Sequence, residues 1–445
     1  MIGGGYVGLV SGACFAEFGT EVTVVETDTQ KLAALREGRM PIYEPGLEQL
    51  VTANVKAGRL AFTGDLAAAV DGTEAVFIAV GTPTRRGDGH ADLSYVYAAA
   101  EQVARALTGY TVIVTKSTVP VGTGRHIADI VRTARPDLQF DVASNPEFLR
   151  EGSALHDSLY PDRVVIGSDN NRALEVLYSL YRPILDQTFA PPPYLPRPEG
   201  VGAVPLISTD LASAELIKYA ANAFLATKIS YINEIGQLAE KVGADIAQVA
   251  KGIGLDARIG TRFLQAGIGW GGSCFGKDTS ALVATAREYS LGMPIVEAAR
   301  EVNRRQRDRV VEKLLGELKI LKGRTIGLLG LAFKPNTDDL REAPAIDIAR
   351  KLLERGCKVK VHDPVAMDRF EREYPDLAVV CCESPEEAAD DVDALVLVTE
   401  WQEYRELDWE AIASRMRAPL ILDGRNALDR SRLERFGYRY LGIAG

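Results

Sequence analysis

Three pairs of polar residues, each four positions apart, lie in stretches that are otherwise rich in glycine, alanine and aromatic side chains. The pairs are Lys218 with Asn222 in KYAANAF, Cys274 with Asp278 in GWGGSCFGKD, and Glu147 with Glu151 in NPEFLREG. A spacing of four places two side chains on one face of a helix or turn. Thiols, amines and carboxylates perform nucleophilic and acid–base catalysis. We therefore take these pairs as the candidate catalytic residues.

Cys274 follows a glycine loop at residues 269–272 and opens a predicted helix, SCFGKDTSALVATAREY. The glycines allow the backbone to approach a ligand. The helix dipole and the free N–H groups of the first turn stabilise a thiolate, which favours a nucleophile. The alternative is a small buried apolar residue, as most single cysteines are. We assign that plainer role to the other four cysteines.

The two remaining pairs also have plain alternatives. Lys218 and Asn222 could face solvent from a long helix, but the alanine, tyrosine and phenylalanine around them favour a cleft. In a cleft, an amine stabilises an oxyanion, and an amide orients water or substrate hydroxyls. Glu147 and Glu151 follow a strand end and Pro146, where open sheets place functional groups. Their alternative is a solvated helix face.

A glycine fingerprint, Gly3-x-Gly5-x-x-Gly8, stands at the start of the sequence, where only Met1 and Ile2 precede it. This spacing is typical of a turn that places a pyrophosphate at a helix N-terminus, although the fingerprint alone is a weak signal. A helix-like segment (YVGLVSGACFAEFG) and a strand-like segment (EVTVVE) follow it, as a dinucleotide site requires.

Glu26 ends that strand-like segment 18 residues after Gly8, at the place of an acid that binds ribose hydroxyls. A carboxylate there favours NAD over NADP, because it repels the 2′-phosphate, while Lys31 and Arg36 weaken this preference slightly. We expect a short apolar extension upstream of Met1 in the natural chain, which would supply the missing first strand.

The composition is that of a globular protein of two or three domains, with 445 residues, 47% apolar and 25% charged. A net charge of −10 argues against a nucleic-acid partner, and the one basic run, residues 300–309, is interrupted by acids. Four histidines without a metal-binding spacing argue against a metal site. Five scattered cysteines favour a reducing, cytoplasmic compartment. No apolar stretch approaches the ~20 residues of a membrane-spanning helix.

Alternating strand-like and helix-like runs predict parallel sheets with crossover helices. Residues 211–243 lack proline, follow a Ser-Thr-Asp cluster and end at glycine, which predicts one long helix and a surface for self-association. More helices follow to about residue 316. Residues 189–207 are rich in proline and glycine and predict an extended loop with no regular element. In the first part we predict strands at residues 21–26, 75–80, 111–115, 141–144 and 163–167.

From residue 324 the alternation resumes, which predicts a second open α/β sheet. The strand that ends at Asp363 corresponds to the one that ends at Glu26. Its turn, Gly327-x-x-Gly330-x-x-Phe333, has phenylalanine where close packing of a helix on a sheet favours glycine. We therefore expect no second dinucleotide there, although a mononucleotide remains possible. The predicted fold class is α/β, with two Rossmann-like open parallel-sheet domains joined by a helical central domain that contains a long spine helix.

Ten motifs, in order along the whole chain, resemble those of the UDP-glucose/GDP-mannose dehydrogenase family. They are GGGYVGLV, PIYEPGL, VGTPT, KSTVPVGT, NPEFLREG, KYAANAFLATKISYINE, RIGTRFL, GWGGSCFGKD, LAFKPNTDDLRE and DGRN. Phe275 and the segment NAFLATKIS resemble the UDP-glucose branch more than the GDP-mannose branch, where leucine and NAFHALK are expected. UDP-N-acetyl-mannosamine enzymes are more distant.

The resemblance implies a domain organisation and a reaction. Residues 1–207 would form the NAD-binding domain, residues 208–316 a central helical domain with the catalytic cysteine loop, and residues 317–445 a UDP-sugar-binding domain. The enzyme would oxidise the C6 alcohol of UDP-glucose to a carboxylate and reduce two molecules of NAD without releasing the aldehyde.

The resemblance also implies a role for each catalytic residue. Cys274 would form a thiohemiacetal and then a thioester, as an aldehyde needs a nucleophile before a second hydride can leave. Lys218 would stabilise the oxyanions at C6, and Glu147 would be the base for thioester hydrolysis. Asn222 and Thr118 would hold substrate or an ordered water. Asp278 would support that water or the charge of the lysine.

The binding residues follow from the same resemblance. For NAD they are Gly3, Gly5, Tyr6, Val7, Gly8, Glu26, Lys31, Thr82, Thr118, Glu151 and Arg341. For UDP-glucose they are Glu147, Phe148, Leu149, Lys218, Asn222, Arg258, Phe263, Gln265, Gly267, Gly269, Gly271, Phe333, Lys334 and Arg425. The lysine and arginine side chains among them would neutralise the negative charge of the diphosphate. The long helix makes a homodimer or a higher homo-oligomer the expected assembly.

Other protein classes fit parts of the sequence. A two-electron hydroxyacid dehydrogenase shares the dinucleotide domain and a helical middle with a Lys/Asn pair, but it needs neither the cysteine nor residues 324–445. A non-catalytic nucleotide-sugar sensor needs none of the polar pairs. Within the family, GDP-mannose or another nucleotide sugar is the alternative substrate.

Overall fold

The computed structural model describes residues 1–85 and 87–444. Contacts divide the chain into two compact units, one of Met1–Ala221 with Ser280–Tyr289, the other of Asn222–Thr279 with Ser290–Gly445. The three-domain organisation proposed from the sequence stays a prediction. No helix in the described ranges combines the length and the apolar character needed to cross a membrane.

The first unit alternates strands and helices from its beginning. Its strands are β1 (Val22–Val25), β2 (Leu60–Thr63), β3 (Ala75–Ile78), β4 (Thr111–Thr115), β5 (Phe140–Ser144), β6 (Val164–Gly167) and β7 (Leu206–Thr209). Its helices are α1 (Tyr6–Glu17), α2 (Thr29–Arg36), α3 (Leu47–Lys56), α4 (Leu66–Val70), α5 (Ser94–Ala106), α6 (Thr123–Ala134), α7 (Ala154–Leu159) and α8 (Asn171–Leu185). The five strands predicted from the sequence are confirmed, with ends that differ by no more than two residues.

A single residue near the start of the sequence joins two sets of strands in this unit. Strands β1 and β2 pair with each other, and β3 to β7 form a sheet in that order. Ile2 pairs in parallel with both Val25 of β1 and Ile78 of β3, so it joins the two sets. The pairs are parallel except β5 with β6. The carboxyl ends of the parallel strands therefore meet at the edge where the glycine turn begins.

The proline-rich segment is mostly irregular, but the prediction for residues 189–207 is wrong at its end. Strand β7 begins at Leu206 and pairs with β6 as an edge strand. Pro205, just before the strand, has no N–H to donate but accepts a hydrogen bond of 2.9 Å from the Val164 N–H. Leu206 and Ile207 then pair with Val164 and Val165.

The long helix predicted at residues 211–243 is confirmed as α9 (Leu211–Val242). The Asp210 carboxylate accepts a hydrogen bond of 2.8 Å from the Ser213 N–H and caps the first turn. Gly243, with a φ of 73°, follows the last turn. The further helices are α10 (Ile246–Gly254), α11 (Ser273–Glu288) and α12 (Pro294–Leu318).

The second unit contains the second open sheet that the sequence predicts. Its strands are β8 (Thr325–Leu329), β9 (Lys358–His362), β10 (Val380–Cys381), β11 (Ala394–Leu397), β12 (Leu420–Asp423) and β13 (Arg439–Gly442), in the order β10-β9-β8-β11-β12-β13. The covering helices are α13 (Pro344–Glu354), α14 (Met367–Glu373), α15 (Pro385–Ala389), α16 (Gln402–Glu406), α17 (Trp409–Arg415) and α18 (Arg430–Arg435). Strands pair in parallel throughout this sheet, and β8, β11 and β12 are buried along their whole length. This is the order of a doubly wound nucleotide-binding sheet.

Candidate active site

The glycine turn between Ile2 and α1 has the shape that a dinucleotide requires. Gly3 has a φ of 104°, and a Cβ there would lie 2.7 Å from the carbonyl oxygen of Ala79. A Cβ on Gly8 would lie 1.9 Å from the carbonyl oxygen of Gly3. In contrast, a Cβ on Gly5 would meet no atom within 4 Å. Two of the glycines thus allow the turn to pack against the strand and the helix, while the third borders open space.

The start of α1 supplies donors to that open space. Gly5 precedes the helix as its N-cap without a side-chain cap, so the first N–H groups and the helix dipole are directed at any anion there. The residues present therefore fit a bound NAD. Val7 is the second residue of the same helix.

Glu26 lies at the carboxyl end of β1 and contacts the turn. Its Oε2 accepts a hydrogen bond of 3.2 Å from the Gly4 N–H, and its Oε1 accepts one of 2.9 Å from the Asp28 N–H. The Asp28 carboxylate in turn accepts from the N–H of Lys31 in the first turn of α2. The acid is thus oriented beside the turn, where a ribose diol would donate to it.

Sequence reasoning missed the residue that connects the glycine turn to the loop after β5. Glu44, in PIYEPGL, accepts hydrogen bonds from the Tyr6 hydroxyl, from the Gly152 N–H at 2.6 Å and from the Ala154 N–H at 2.7 Å. Burial raises the pKa of Glu44. The pKa of Tyr6 also rises, first through burial and then through the charges of Glu44 and Glu151. The Tyr6 hydroxyl also accepts a hydrogen bond of 3.0 Å from the N–H of Gly152, the residue that follows Glu151.

Residues predicted to bind or to catalyse follow three successive strand ends. Thr82 follows β3, Thr118 follows β4, and Glu147 follows β5. The Thr82 hydroxyl donates to the Thr118 carbonyl at 3.0 Å. Glu147 and Glu151 do not lie on a helix, as one interpretation of their spacing suggests, because α7 begins only at Ala154. The segment between them is a loop that carries functional groups away from the sheet.

The first group of candidate catalytic residues is a buried ion pair. The Lys218 Nζ of α9 lies 3.1 Å from Glu147 Oε1, and each side chain is exposed by less than a tenth. Glu147 Oε2 accepts from the Leu149 N–H at 2.5 Å. The ammonium also lies 5.3 Å from the centre of the Phe148 ring. The structure therefore joins the proposed oxyanion stabiliser to the proposed base, and burial of Lys218 excludes the solvent-exposed alternative.

A second buried lysine, Lys116, was missed by sequence reasoning. It begins KSTVPVGT directly after β4, and its Nζ donates to Asn145 Oδ1 at 2.9 Å and to the Tyr181 hydroxyl at 3.1 Å. The signal available in the sequence was a lysine at the end of an apolar strand, next to predicted site residues.

The second group of candidate catalytic residues lies in the other unit. Cys274 is the second residue of α11, as predicted, and its side chain is half-buried. Asp278, one turn later, is buried, and its Oδ2 accepts from Asn222 Nδ2 at 2.6 Å. Lys277, which sequence reasoning missed, donates to Asp278 Oδ1 at 2.5 Å. Asn222 lies one turn after Lys218 on α9. A thiol at a helix N-terminus thus stands one turn from an oriented amide–carboxylate pair.

The glycine loop before Cys274 has neighbours within the protein. A Cβ on Gly271 would lie 2.6 Å from the Glu342 carbonyl oxygen, and one on Gly272 would lie 2.8 Å from the Phe333 ring. The Gly272 N–H donates to the Arg341 carbonyl at 2.9 Å. The glycines that we interpreted as space for a ligand therefore allow close packing on residues 333–342.

Arg425, at the carboxyl end of β12, connects residues predicted to bind UDP-glucose. Its guanidinium donates to the Gly269 carbonyl at 2.9 Å and to the Phe333 carbonyl at 3.3 Å. The Lys334 ammonium lies 5.4 Å from the centre of the Phe333 ring. Gly267 belongs to the same region, because a Cβ there would lie 2.9 Å from the Gly424 carbonyl oxygen.

The other predicted substrate residues are less closely connected. Phe263 has a φ of 65°, and its ring lies 6.4 Å from that of Phe275 on α11. Gln265 lies between Phe263 and Gly267 in the same irregular segment. The side chain of Arg258 is 89% exposed and pairs with Asp256. In residues 1–85 and 87–444, no cluster of three or more histidine, cysteine or acidic side chains could hold a metal ion.

Comparisons with known proteins identify the family across most of the chain. Models of the UDP-glucose/GDP-mannose dehydrogenase family match as the NAD binding domain at residues 1–185, the central domain at residues 212–305 and the UDP binding domain at residues 327–430. A UDP-glucose 6-dehydrogenase of Rhizobium meliloti is 50% identical over 100% of this chain and 98% of its own. One of Bacillus subtilis, TuaD, is 46% identical over 100% of this chain and 92% of its own.

Solved structures agree with the sequence comparisons. The structure of a UDP-glucose dehydrogenase from Pyrobaculum islandicum aligns with a TM-score of 0.89 and 41% identity, over 100% of this chain and 96% of that one. A UDP-D-ManNAc dehydrogenase of Pyrococcus horikoshii, at 24% identity, shares the fold with a TM-score of 0.83, over 100% of this chain and 98% of that one. The chain therefore belongs to the UDP-glucose/GDP-mannose dehydrogenase family and is an oxidoreductase with NAD as its cofactor.

Proposed function

We propose that this chain is a UDP-glucose 6-dehydrogenase, which oxidises the C6 alcohol of UDP-glucose to the carboxylate of UDP-glucuronate. Relatives with that name match the full chain at up to 50% identity. The observation that carries the proposal is the position of Cys274 in the first turn of α11, one turn before the Asp278–Asn222 pair. An oxidation of two electrons needs no nucleophile, whereas an oxidation of four electrons does.

The thiol explains how an aldehyde is oxidised further. NAD⁺ held at the glycine turn of residues 3–8 would supply the hydride acceptor for each of the two oxidations. The first converts the alcohol to an aldehyde, and the Cys274 thiolate then adds to the carbonyl carbon to form a thiohemiacetal. Loss of the second hydride leaves a thioester. Water adds to its carbonyl carbon, the C–S bond breaks, and the thiolate and the carboxylate are released.

The polar groups around these steps have separate roles. Lys218 stabilises the oxyanion at C6, because a buried ammonium is a strong electrostatic partner for developing negative charge. Glu147 accepts the proton of the hydrolytic water. Asn222 and Thr118 hold substrate or that water. Asp278, which accepts hydrogen bonds from Asn222 and Lys277, keeps the amide oriented.

The binding residues and domains keep their predicted assignments in this proposal. NAD is held by the glycine turn of residues 3–8 and Glu26, with the other cofactor residues named from the resemblance. UDP-glucose is held by Arg258, Phe263, Gln265, Gly267, Gly269, Gly271, Phe333, Lys334 and Arg425, together with Glu147, Phe148, Leu149, Lys218 and Asn222. Residues 1–207, 208–316 and 317–445 serve as the NAD-binding, central and UDP-sugar-binding domains. The proposal also keeps the cytoplasmic location, which the five scattered cysteines favour.

The proposed assembly is a homodimer or a higher homo-oligomer formed through α9. Phe224, Tyr231, Leu238 and Val242 are each more than half exposed, and their spacing of seven, seven and four places them on one face of the helix. An apolar stripe of this kind marks an interaction surface. Sedimentation of the purified chain measures its mass, and a monomer at micromolar concentration would contradict this part of the proposal.

The decisive experiment counts NADH. We expect the wild-type enzyme to form two NADH per UDP-glucose, and Cys274→Ser to lose sustained turnover while binding NAD with unchanged affinity. Cys381→Ser is the matched control, since Cys381 is also half-buried but lies on β10. Near wild-type turnover by Cys274→Ser, or one NADH per sugar, refutes the covalent role. Assays with UDP-galactose, UDP-N-acetylglucosamine and GDP-mannose test the substrate.

A further inference from the structure

The segment that precedes Cys274, residues 267–272, is irregular, and buried side chains satisfy much of its backbone. The Gly267 N–H donates to Asn233 Oδ1 at 2.8 Å, and Gln306 Nε2 donates to the Gly267 carbonyl at 2.7 Å. Both amide side chains are buried. A buried N–H or carbonyl without a partner costs about as much free energy as a lost hydrogen bond. The side-chain amides of α9 and α12 therefore hold the first part of this segment in place.

Asn303 of α12 binds both polar groups of one residue in the same segment. Its Oδ1 accepts a hydrogen bond of 2.7 Å from the Trp270 N–H, and its Nδ2 donates to the Trp270 carbonyl at 3.0 Å. The Asn303 side chain is buried. An amide carries an acceptor and a donor on one short planar group, whereas a carboxylate has no donor and an apolar side chain has neither. Asn303 therefore fixes the Trp270 backbone at two points.

The residue before Trp270 fits the same amide closely. A Cβ on Gly269 would lie 2.4 Å from Asn303 Oδ1, so a larger residue would displace the amide. Arg307, one turn after Asn303 on α12, also donates to the Trp270 carbonyl, at 3.3 Å. Glycine at position 269 thus allows the segment to approach α12 and receive these bonds.

Trp270 contacts the residue beside the thiol. The centres of the Trp270 and Phe275 rings lie 5.8 Å apart and their planes cross at 86°, a favourable edge-to-face arrangement. Phe275 directly follows Cys274 in the first turn of α11. The Trp270 indole N–H also donates to Ser230 Oγ at 3.3 Å. A continuous set of contacts therefore leads from Asn303 to the start of the helix that carries the thiol.

We propose that Asn303 is a positioning residue, which fixes the Trp270 backbone and thereby places the Cys274 thiol for addition to the aldehyde. In that step the sulfur bonds to C6 and the electron pair of the carbonyl moves to the oxygen. A displacement of about 1 Å between reacting groups costs about 100-fold in rate, so the start of α11 must be held precisely. This inference rests on the proposed function.

The C6 aldehyde of UDP-glucose is the substrate that tests this role, because it enters two reactions. Its oxidation in the presence of NAD⁺ requires addition of the thiol. Its reduction in the presence of NADH reverses the first oxidation and requires no thiol. We expect Asn303→Leu, which lacks both polar atoms, to lower kcat for aldehyde oxidation about tenfold or more, and to leave kcat for aldehyde reduction within about threefold of the wild type.

A conservative variant should restore part of the lost rate. Asn303→Asp keeps an acceptor for the Trp270 N–H, and Arg307 still donates to the Trp270 carbonyl. We therefore expect its rate of aldehyde oxidation to lie between those of Asn303→Leu and the wild type. Asn54→Leu is the matched control, since Asn54 is also a buried, hydrogen-bonded asparagine but lies on α3 of the first unit. It should leave the ratio of oxidation to reduction unchanged.

The ratio of the two rates decides the role of Asn303. If Asn303 only stabilises the fold, its variants will lose oxidation and reduction by the same factor, which would overturn the proposal. Unchanged oxidation in Asn303→Leu, or loss of aldehyde reduction in both Asn303 variants, would also overturn it. If the wild-type enzyme neither oxidises nor reduces the aldehyde, the proposed function fails and this inference fails with it.

Discussion

The two open sheets contain corresponding turns, but the acid beside each turn accepts a different number of hydrogen bonds from it. Gly3 follows Ile2 in the first sheet, and Gly330 follows β8 in the second, with φ values of 104° and 98°. A Cβ on either glycine would collide with the residues that follow the neighbouring strand of the sheet. These are Ala79 after β3 for Gly3 and Thr399 after β11 for Gly330. The same close approach explains both glycines.

The two acids differ in the number of hydrogen bonds that they accept from their turns. Glu26 accepts one N–H of its turn, that of Gly4. Asp363 is buried and accepts two, from Leu331 at 2.7 Å and Ala332 at 3.0 Å, and two more from residues 365 and 366. In the second turn the donors that could hold a phosphate are therefore used by the protein itself.

The correspondence of Gly3 with Gly330 also corrects the alignment made from the sequence. Phe333 then stands opposite Tyr6, and Pro335 opposite Gly8. No helix begins there, because α13 starts only at Pro344. The comparison teaches that equal topology does not give equal binding sites: the helix N-terminus and the free N–H groups must both be present.

The largest effect that tests this comparison is on stability. We expect Asp363→Ala to reduce the free energy of unfolding by about 3–5 kcal/mol, because four backbone N–H groups and the Trp401 indole lose a buried acceptor. Urea unfolding followed by tryptophan fluorescence measures it. Glu26→Ala is the matched control and should cost less than about 1 kcal/mol; equal losses would contradict the comparison.

The next effect is on cofactor affinity. Gly5→Ala places a methyl group in space that is empty of protein, so the unfolding free energy should change little while NAD binds about 10- to 100-fold more weakly. Titration of NAD against intrinsic fluorescence measures the affinity. Gly316→Ala would add a methyl group to equally open space in the second unit, also at a position without a positive φ, and it should leave NAD affinity unchanged. Unchanged affinity in Gly5→Ala would place the cofactor elsewhere.

The smallest effect is on the choice of cofactor. Glu26→Gln removes the negative charge beside the turn, and we expect the ratio of NAD to NADP affinity to fall about tenfold. Parallel titrations with both cofactors measure the ratio. A ratio equal to that of the wild type would mean that Glu26 does not face the ribose.

The fold was largely predictable because most strands can be recognised from a short stretch of sequence. Runs such as AVFIAV and TVIVT are apolar and bounded by turn residues, so their positions follow from the sequence. Strand β7 was missed because Pro205 directly precedes it and its four residues are an edge strand. A short edge strand carries too few apolar residues to stand out from a loop.

The candidate site was predictable only where its residues lie close together in the sequence. Cys274 with its helix, and Lys218 with Asn222, could be found from spacing. The partners of Lys116 and Glu44 lie 29 and 108 residues away, at Asn145 and Gly152, so no spacing rule reveals them. Such contacts are set by which strand ends and loops the sheet brings together.

Glu44 has a mechanical consequence for the first unit. One carboxylate serves as the common acceptor for Tyr6, at the entrance of the cofactor helix, and for the N–H groups of residues 152 and 154. If either segment shifts, it must break its hydrogen bond to Glu44 or move this carboxylate away from the other segment. Through this one carboxylate, the position of the helix that binds the dinucleotide is coupled to the order of the loop that contains Glu147.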